Sequence, residues 1–269
     1  MTYKECIERL RECGVESPEN DARELFIKFA DIPRSKVIYD TYECSSPELL
    51  PAVERRCARE PLQYIIGEVG FYRELYSVSR DCLIPRQDTE VLVDFAVSTL
   101  SEGARFLDLC TGSGCIAIST LKNTRATTAV AVDISYGALD AAKKNAAKNG
   151  VLDRLTFLHA DVLAAVPSDK FDAILSNPPY VTTSEYESLA PELYFEPKLA
   201  LVGGDDGADF YRHIIPSYKG CLNDGGFMAL EIGAAQGALL TSLAAENGMQ
   251  IEILKDLSGN DRVAVLRLA

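Results

Sequence analysis

Apolar residues recur at spacings of three and four near the amino terminus: Tyr3, Ile7 and Leu10, then Ala22, Leu25, Phe26 and Phe29, then Leu49, Leu50, Val53 and Cys57. That period puts each set on one face of a helix, so the segment predicts amphipathic helices packed into a small bundle rather than forming a dedicated binding groove. Ser17-Pro18-Glu19 and Ser46-Pro47-Glu48 read as two helix starts, each with Ser as cap and Pro in the first turn. From Gly70 to Ile84 the pattern turns to alternation, as in Leu75, Ser77, Val78 and Ser79 beside Phe71 and Tyr72. A β-hairpin joining two domains is the expectation there.

Beyond Arg86 the rhythm changes again. Short apolar runs at 105–109, 129–132, 155–158 and 171–175 alternate with helix-like stretches such as Gly137 to Asn149. Strands alternating with helices predict an α/β fold with a parallel sheet covered on both faces. Near the carboxyl terminus, the runs 251–254 and 263–266 flank a Gly259-Asn260 turn, so the sheet is expected to finish in an antiparallel hairpin. No internal repeat or low-complexity tract interrupts this order.

Composition narrows the function. The 269 residues carry a net charge of −13, whereas affinity for nucleic acid rests on cations that neutralise phosphates. A protein or a small charged molecule is the easier partner. Met1 to Cys6 lacks the basic-then-apolar pattern of a signal peptide, and no apolar run approaches the ~20 residues of a membrane span, so cytoplasmic residence is expected. The eight cysteines are scattered without a Cys-x-x-Cys pair, and only two histidines are present. Reduced thiols and no metal site are therefore expected.

The segment Asp108-Leu109-Cys110-Thr111-Gly112-Ser113-Gly114-Cys115 follows a strand and precedes a helix. Glycines at such a junction let backbone approach a ligand at a helix amino terminus. Gly112, Gly114 and Ala117 satisfy a dinucleotide-binding pattern, and Asp133 at the next strand end stands where an acid binds ribose hydroxyls, so a nicotinamide-dependent oxidoreductase is one reading. Asp108 leans the other way, because an anion before the loop repels a pyrophosphate and attracts a cation such as the ammonium of S-adenosylmethionine. Asp161 and Val162, past the third strand, are placed for the adenine side or for capping a turn, with little to choose between the two.

After the fourth strand comes Asn177-Pro178-Pro179-Tyr180. A strand cannot continue through two prolines, which lack N–H donors and fix φ, so these residues form a rigid loop at the carboxyl edge of the sheet, where open α/β sheets bind ligands. The Asn177 side-chain oxygen and the Pro178 carbonyl can accept both hydrogens of an NH₂ group, and Tyr180 offers a flat face. An amide or exocyclic amino nitrogen is a poor nucleophile because its lone pair is delocalised. Two acceptors raise its electron density and orient it, and positioning of this kind is worth up to ~7–11 kcal/mol.

With these residues in place, the chain resembles the seven-strand S-adenosylmethionine-dependent methyltransferases with an Asn-Pro-Pro-Tyr loop and, within them, the release factor glutamine methyltransferases. The likeness includes Pro61 to Glu68 with Phe71, Leu83 to Glu90, Asn177 to Tyr180, Phe195-Glu196-Pro197, Gly203-Gly204 and Asp256 to Arg262. It implies a Rossmann-like sheet, mostly parallel with an antiparallel last strand, behind a helical domain. The implied limits are a helical substrate-binding domain over 1–69, a hairpin linker over 70–86 and a methyltransferase domain over 87–269. It also implies methyl transfer from S-adenosylmethionine, leaving S-adenosylhomocysteine, to the glutamine amide of the Gly-Gly-Gln loop of peptide chain release factors.

Carried over by position, the cofactor side comprises Asp108, Cys110, Thr111, Gly112, Gly114, Asp133, Asp161, Val162 and Asn177. The substrate side comprises Asn177, Pro178, Pro179 and Tyr180. Arg86 and Glu196 are candidates for holding the substrate loop, or equally for a salt bridge between loops. Cys110 stands where many relatives have Gly, and Gln87 where Pro is frequent. A methyltransferase acting on adenine or guanine amino groups is the alternative reading; it would need a basic face that the net charge disfavours. A non-catalytic interaction module would leave the cofactor loop without a purpose.

Overall fold

The computed structural model describes residues 1–30, 43–126 and 128–269, which fall into two compact units. The first comprises Met1–Glu68 together with Ala190–Phe195. Its helices are α1 (Tyr3–Glu12), α2 (Pro18–Phe29), α3 (Leu49–Cys57) and the short α4 (Leu62–Ile66). The spacing of three and four largely does what it predicts: Tyr3, Leu10, Ala22, Leu25, Phe26, Leu49 and Val53 are buried against one another, joined by Cys6, whereas Leu50 is exposed. The two expected caps differ from expectation. Ser17 holds the N-cap position without a side-chain hydrogen bond. Ser46 accepts the Glu48 N–H in a turn, and α3 starts only at Leu49.

Inside this unit Arg56 is buried, its guanidinium 2.7 Å from Asp21 and 3.0 Å from Glu192. Arg59 adds a second pairing to Glu192 at 2.7 Å. Segment 190–195 thus belongs to the helical unit through ion pairs, although it lies 120 or more positions away along the chain. No hydrophobic period announces it.

The second unit comprises Val69–Leu189 and Glu196–Ala269. A small two-stranded sheet, β1 (Glu68–Phe71) and β2 (Glu74–Ser77), sets in and ends earlier than the alternation over 70–84 suggests. The main sheet has seven strands in the order β5-β4-β3-β6-β7-β9-β8. These are β3 (Arg105–Leu109), β4 (Thr128–Asp133), β5 (Leu155–His159), β6 (Phe171–Ser176), β7 (Leu222–Glu231), β8 (Met249–Lys255) and β9 (Asp261–Leu268). Strands β3 to β7 pair in parallel, while β9 lies antiparallel to both β7 and β8.

Helices α5 (Glu90–Thr99), α6 (Cys115–Asn123) and α7 (Tyr136–Lys148) bury apolar residues with one set of strand side chains, and α9 (Asp209–Tyr218) with α10 (Gly237–Glu246) with the other. The one-turn α8 (Thr183–Tyr186) lies in the loop after β6. Because β4 lies on one side of β3 and β6 on the other, the order reverses at β3, which opens a crevice at the carboxyl ends of those two strands. Among the described residues no helix is long and apolar enough to cross a membrane, and no three His, Cys, Asp or Glu side chains cluster as metal ligands do.

Candidate functional site

A cleft opens at this crevice, where open α/β sheets bind ligands. Its walls include Cys110, Thr111, Gly112, Asp133, Asp161, Val162, Asn177, Pro179 and Arg86. Five predicted residues do not line it: Asp108, Gly114, Pro178, Tyr180 and Glu196. Pro178 is buried, between the wall residues Asn177 and Pro179.

The glycine loop is held largely by backbone groups. Thr111 N–H donates to Val132 O of the next strand at 3.0 Å, and Gly112 N–H donates to Asp133 Oδ2 at 2.9 Å. The other Asp133 oxygen accepts the Ser135 N–H at 2.9 Å. Burial raises the Asp133 pKa above the ordinary carboxylate value, while the Ser135 and Gly112 N–H bonds pull it down. Gly112 has φ +54° and open space where a Cβ would project, so the loop presents bare backbone to the cleft.

Gly114 serves packing instead. A Cβ there would press on Ile118 and on Ala142 of α7. Cys110 takes φ +57°, the left-handed region that favours glycine, and this accounts for the Gly seen at this place in the family pattern.

Asp108 also departs from expectation. It is fully buried, its Oδ2 accepting the Thr111 hydroxyl at 2.6 Å and the Ala117 N–H at 3.2 Å, while Oδ1 has no partner among the described residues. It braces the loop from behind rather than facing a ligand. Desolvation pushes its pKa up to about 7. Asp161 faces the cleft, yet Oδ1 accepts the Leu163 N–H at 2.9 Å, so it caps a turn and lines the site at once.

On the opposite wall, the loop after β6 is fixed at both ends. Ser176 Oγ donates to Leu109 O at 2.7 Å, tying β6 to β3 beneath the crevice. Val181 N–H donates to Leu201 O and Gly203 N–H to Val181 O, each at 2.9 Å. A Cβ on Gly203 would collide with the Pro179 carbonyl oxygen, so the Gly203-Gly204 pair permits a close approach of two chain segments. Asn177 Nδ2 donates to Thr89 Oγ1 at 3.3 Å, and its Oδ1 accepts no bond among the described residues. No N–H of the described residues donates to the Pro178 carbonyl either. Tyr180 does not offer its ring to the cleft; its hydroxyl donates to Glu231 Oε1 at 3.2 Å.

Arg86 and Glu196 resolve into the second of the two options, a bridge between loops. Glu196, 4 % exposed, accepts the Ile84 N–H at 3.0 Å and pairs with the Arg86 guanidinium. It thereby joins two lengths of cleft wall, the one before Arg86 and the one from Pro197 to Ala200.

Comparison with known proteins decides the family. A release factor glutamine methyltransferase of Caulobacter vibrioides is 37 % identical over 96 % of this chain and 92 % of its own length. Another, from Cereibacter sphaeroides, is 39 % identical over 97 % and 95 %. This chain belongs to the release factor glutamine methyltransferase family. Residues 2–67 match the family described as PrmC N-terminal domain, and 87–202 the one described as Methyltransferase small domain. The crystal structure of a ribosomal protein L11 methylase from Lactobacillus delbrueckii subsp. bulgaricus superposes with a TM-score of 0.52 at 25 % identity, covering 68 % of this chain and 80 % of that one.

Within this methyltransferase fold, several wall residues escape sequence reasoning. Ile134 and Leu199 are 45 % and 53 % exposed, and both line the cleft with Leu163 and Phe210. Ile134 follows Asp133 directly, and an apolar side chain left exposed beside an acid is the signal that could have found it. Thr89 lies in a quoted motif, but only the fold brings it to Asn177.

Proposed function

We propose that this protein transfers a methyl group from S-adenosylmethionine to the glutamine amide of the Gly-Gly-Gln loop of peptide chain release factors, acting in the cytoplasm. What carries the reading is one juxtaposition: an open glycine loop with Asp133 on one wall, and an unengaged Asn177 Oδ1 on the other. The residues suit the cofactor. Gly112 leaves room for close approach, Asp133 offers a carboxylate for vicinal hydroxyls, and Ile134, Val162 and Leu163 supply apolar surface for a base.

S-adenosylmethionine would supply an electrophilic methyl group. Asn177 Oδ1 and the Pro178 carbonyl accept the two hydrogens of the substrate amide and turn its nitrogen toward the cleft. A side chain that cannot fill both acceptors leaves them unpaired at about 1–3 kcal/mol each, which selects for a carboxamide. Tyr180 holds the loop in shape through Glu231, and Arg86 with Glu196 holds the adjoining wall. The helical unit, residues 1–68 with 190–195, is proposed to grip the release factor.

The test is incubation with radiolabelled S-adenosylmethionine and full-length release factor, either unchanged or with the Gly-Gly-Gln glutamine replaced. Label confined to the unchanged factor is expected. Equal label in both would overturn the assignment.

A further inference from the structure

Of the buried residues of α7, namely Ala138, Leu139, Ala142, Asn145 and Ala146, only Asn145 is polar, and it is 0 % exposed. Its Oδ1 accepts the Ser77 N–H at 2.8 Å, while Nδ2 donates to Ser77 O at 3.0 Å and to Ser113 O at 2.9 Å. The amide thus clasps both main-chain groups of the last residue of β2 and reaches the glycine loop with its remaining hydrogen. Its orientation is unambiguous, because an N–H only donates and a carbonyl oxygen only accepts.

The bond to Ser113 falls where the loop is least constrained by its own residues. Gly112 and Gly114 flank Ser113 with φ of +54° and +80°, and glycine leaves the adjoining peptide planes free to turn. The 113–114 peptide is nonetheless held on both sides: Gly114 N–H donates to Thr111 O at 2.9 Å, and Ser113 O takes the Asn145 hydrogen. Gly112, whose backbone faces the cleft, is the next residue along. On the hairpin side, Ser77 precedes a length of cleft wall that includes Asp81, Cys82, Leu83 and Pro85. Asp81 packs against α7 at Gly137, where a Cβ would lie 2.8 Å from its carboxylate. We propose that Asn145 is a positioning residue for the cofactor, locking the glycine loop and the hairpin exit into one frame so that filling the loop and seating the hairpin favour each other. The inference rests on the reading of the cleft as an S-adenosylmethionine site.

Asn149, one turn further along α7, separates positioning from mere support. Its Nδ2 donates to Leu75 O at 3.3 Å, so it too holds β2, yet none of its bonds among the described residues reaches the loop. Loss of Asn149 makes unseating of β2 commoner without breaking its tie to the loop; loss of the Asn145 NH₂ breaks the tie itself. Such coupling is reciprocal, so the factor by which a loop ligand steadies Ser77 is the factor by which a seated Ser77 improves the ligand's affinity.

Asn145→Asp keeps the side-chain shape and the acceptor for Ser77 N–H, and turns an oxygen toward Ser113 O in place of the NH₂. In that variant the dissociation constant of S-adenosylhomocysteine, by calorimetry, is expected to rise by about tenfold, with kcat at saturating S-adenosylmethionine within about threefold of wild type. Asn149→Ala should speed exchange of the Ser77 N–H, followed by NMR, and leave the dissociation constant within about twofold. In the wild-type protein, S-adenosylhomocysteine should slow exchange of the Ser77 N–H by about tenfold. The Asn260 N–H, held at 2.9 Å by Asp256 outside the cleft lining, should change less than about twofold. This last measurement needs neither a variant nor turnover, and decides the matter if Asn145→Asp does not fold. The proposal is overturned if a folded Asn145→Asp keeps its affinity within twofold, if Asn149→Ala loses as much affinity, or if the Ser77 N–H does not respond to the ligand. A wild-type protein that binds no S-adenosylhomocysteine would overturn the reading of the cleft and the proposal with it, a result distinct from binding without a response at Ser77.

Discussion

The two walls of the cleft are built by different means. On the cofactor wall the groups that hold the loop lie no more than 32 positions apart: Asp108 braces Thr111 and Ala117, three and nine positions on, and the Thr111 and Gly112 N–H groups donate to Val132 O and Asp133 on the next strand. Most of those bonds end on backbone N–H groups. On the amide wall, Asn177 is held by Thr89, 88 positions away, and Tyr180 by Glu231, 51 positions away, side chain to side chain. A wall made from local backbone tolerates most substitutions outside its glycines and its ligand-facing acid. A wall made from distant side chains is sensitive at every link, because each buried polar group depends on the next for its partner.

The contrast is tested most strongly at Asn177. Replacement by alanine removes an acceptor that positions the nucleophile, and transfer should fall by at least about a hundredfold while cofactor affinity, measured by calorimetry, changes only a few-fold. Loss of cofactor binding in that variant would assign Asn177 to the other wall and dissolve the distinction. Asp133→Ala should show the converse. Losing a charged acceptor costs about 1.5–3 kcal/mol, so the cofactor dissociation constant should rise roughly ten- to hundredfold, and saturating cofactor should restore most of kcat. Normal affinity there would remove Asp133 from the binding set.

The same difference explains what was legible in the sequence. The strands, the glycine loop, Asp133 and the proline-bound loop follow from local period and from turn chemistry, and the last antiparallel strand from the Gly259-Asn260 turn. The burial of Asp108 against Thr111 and Ala117 was not legible, because sequence order gives its distance from the loop but not the side of the sheet end on which its side chain lies. Tyr180 was misread for a related reason: its aromatic ring suggested a stacking surface, whereas its hydroxyl is claimed by a carboxylate on a neighbouring strand. Glu231 and Arg262 are brought together only by the strand order, which places β7 and β9 side by side.

Backbone approach on the amide wall gives a smaller effect. Gly203→Ala forces a Cβ into the Pro179 carbonyl oxygen, so either the proline loop or segment 201–204 must move. A loss of about 1–3 kcal/mol in urea unfolding is expected, with a matching fall in transfer rate and unchanged cofactor affinity. Acidity separates the walls no further, because each has a buried carboxyl, Asp108 and Glu231, raised by desolvation to about 7. Between the ordinary carboxylate value and 7, the folded chain holds protons that the unfolded chain has released, so stability falls as pH rises through that window. Going from pH 8 to pH 6 should therefore stabilise the protein by roughly 1–3 kcal/mol in urea titrations, and Glu231→Gln should remove part of the slope.

Cys110 offers the finest test of the backbone-held wall. Its φ of +57° costs a residue with a Cβ about 1–2 kcal/mol, while glycine pays about 0.5–1 kcal/mol in lost chain entropy for the same conformation. Cys110→Gly should consequently raise stability by no more than ~1 kcal/mol, with cofactor affinity and transfer rate within about twofold of wild type. Its thiol, whose pKa burial raises well above the ordinary value, is a small packed group with little thiolate character, so its removal takes no reactive group from the cleft. A large loss of cofactor affinity would mean that the Cys110 side chain, and not the bare backbone of the loop, makes the contact on this wall, and the two walls would then be alike in their reliance on side chains.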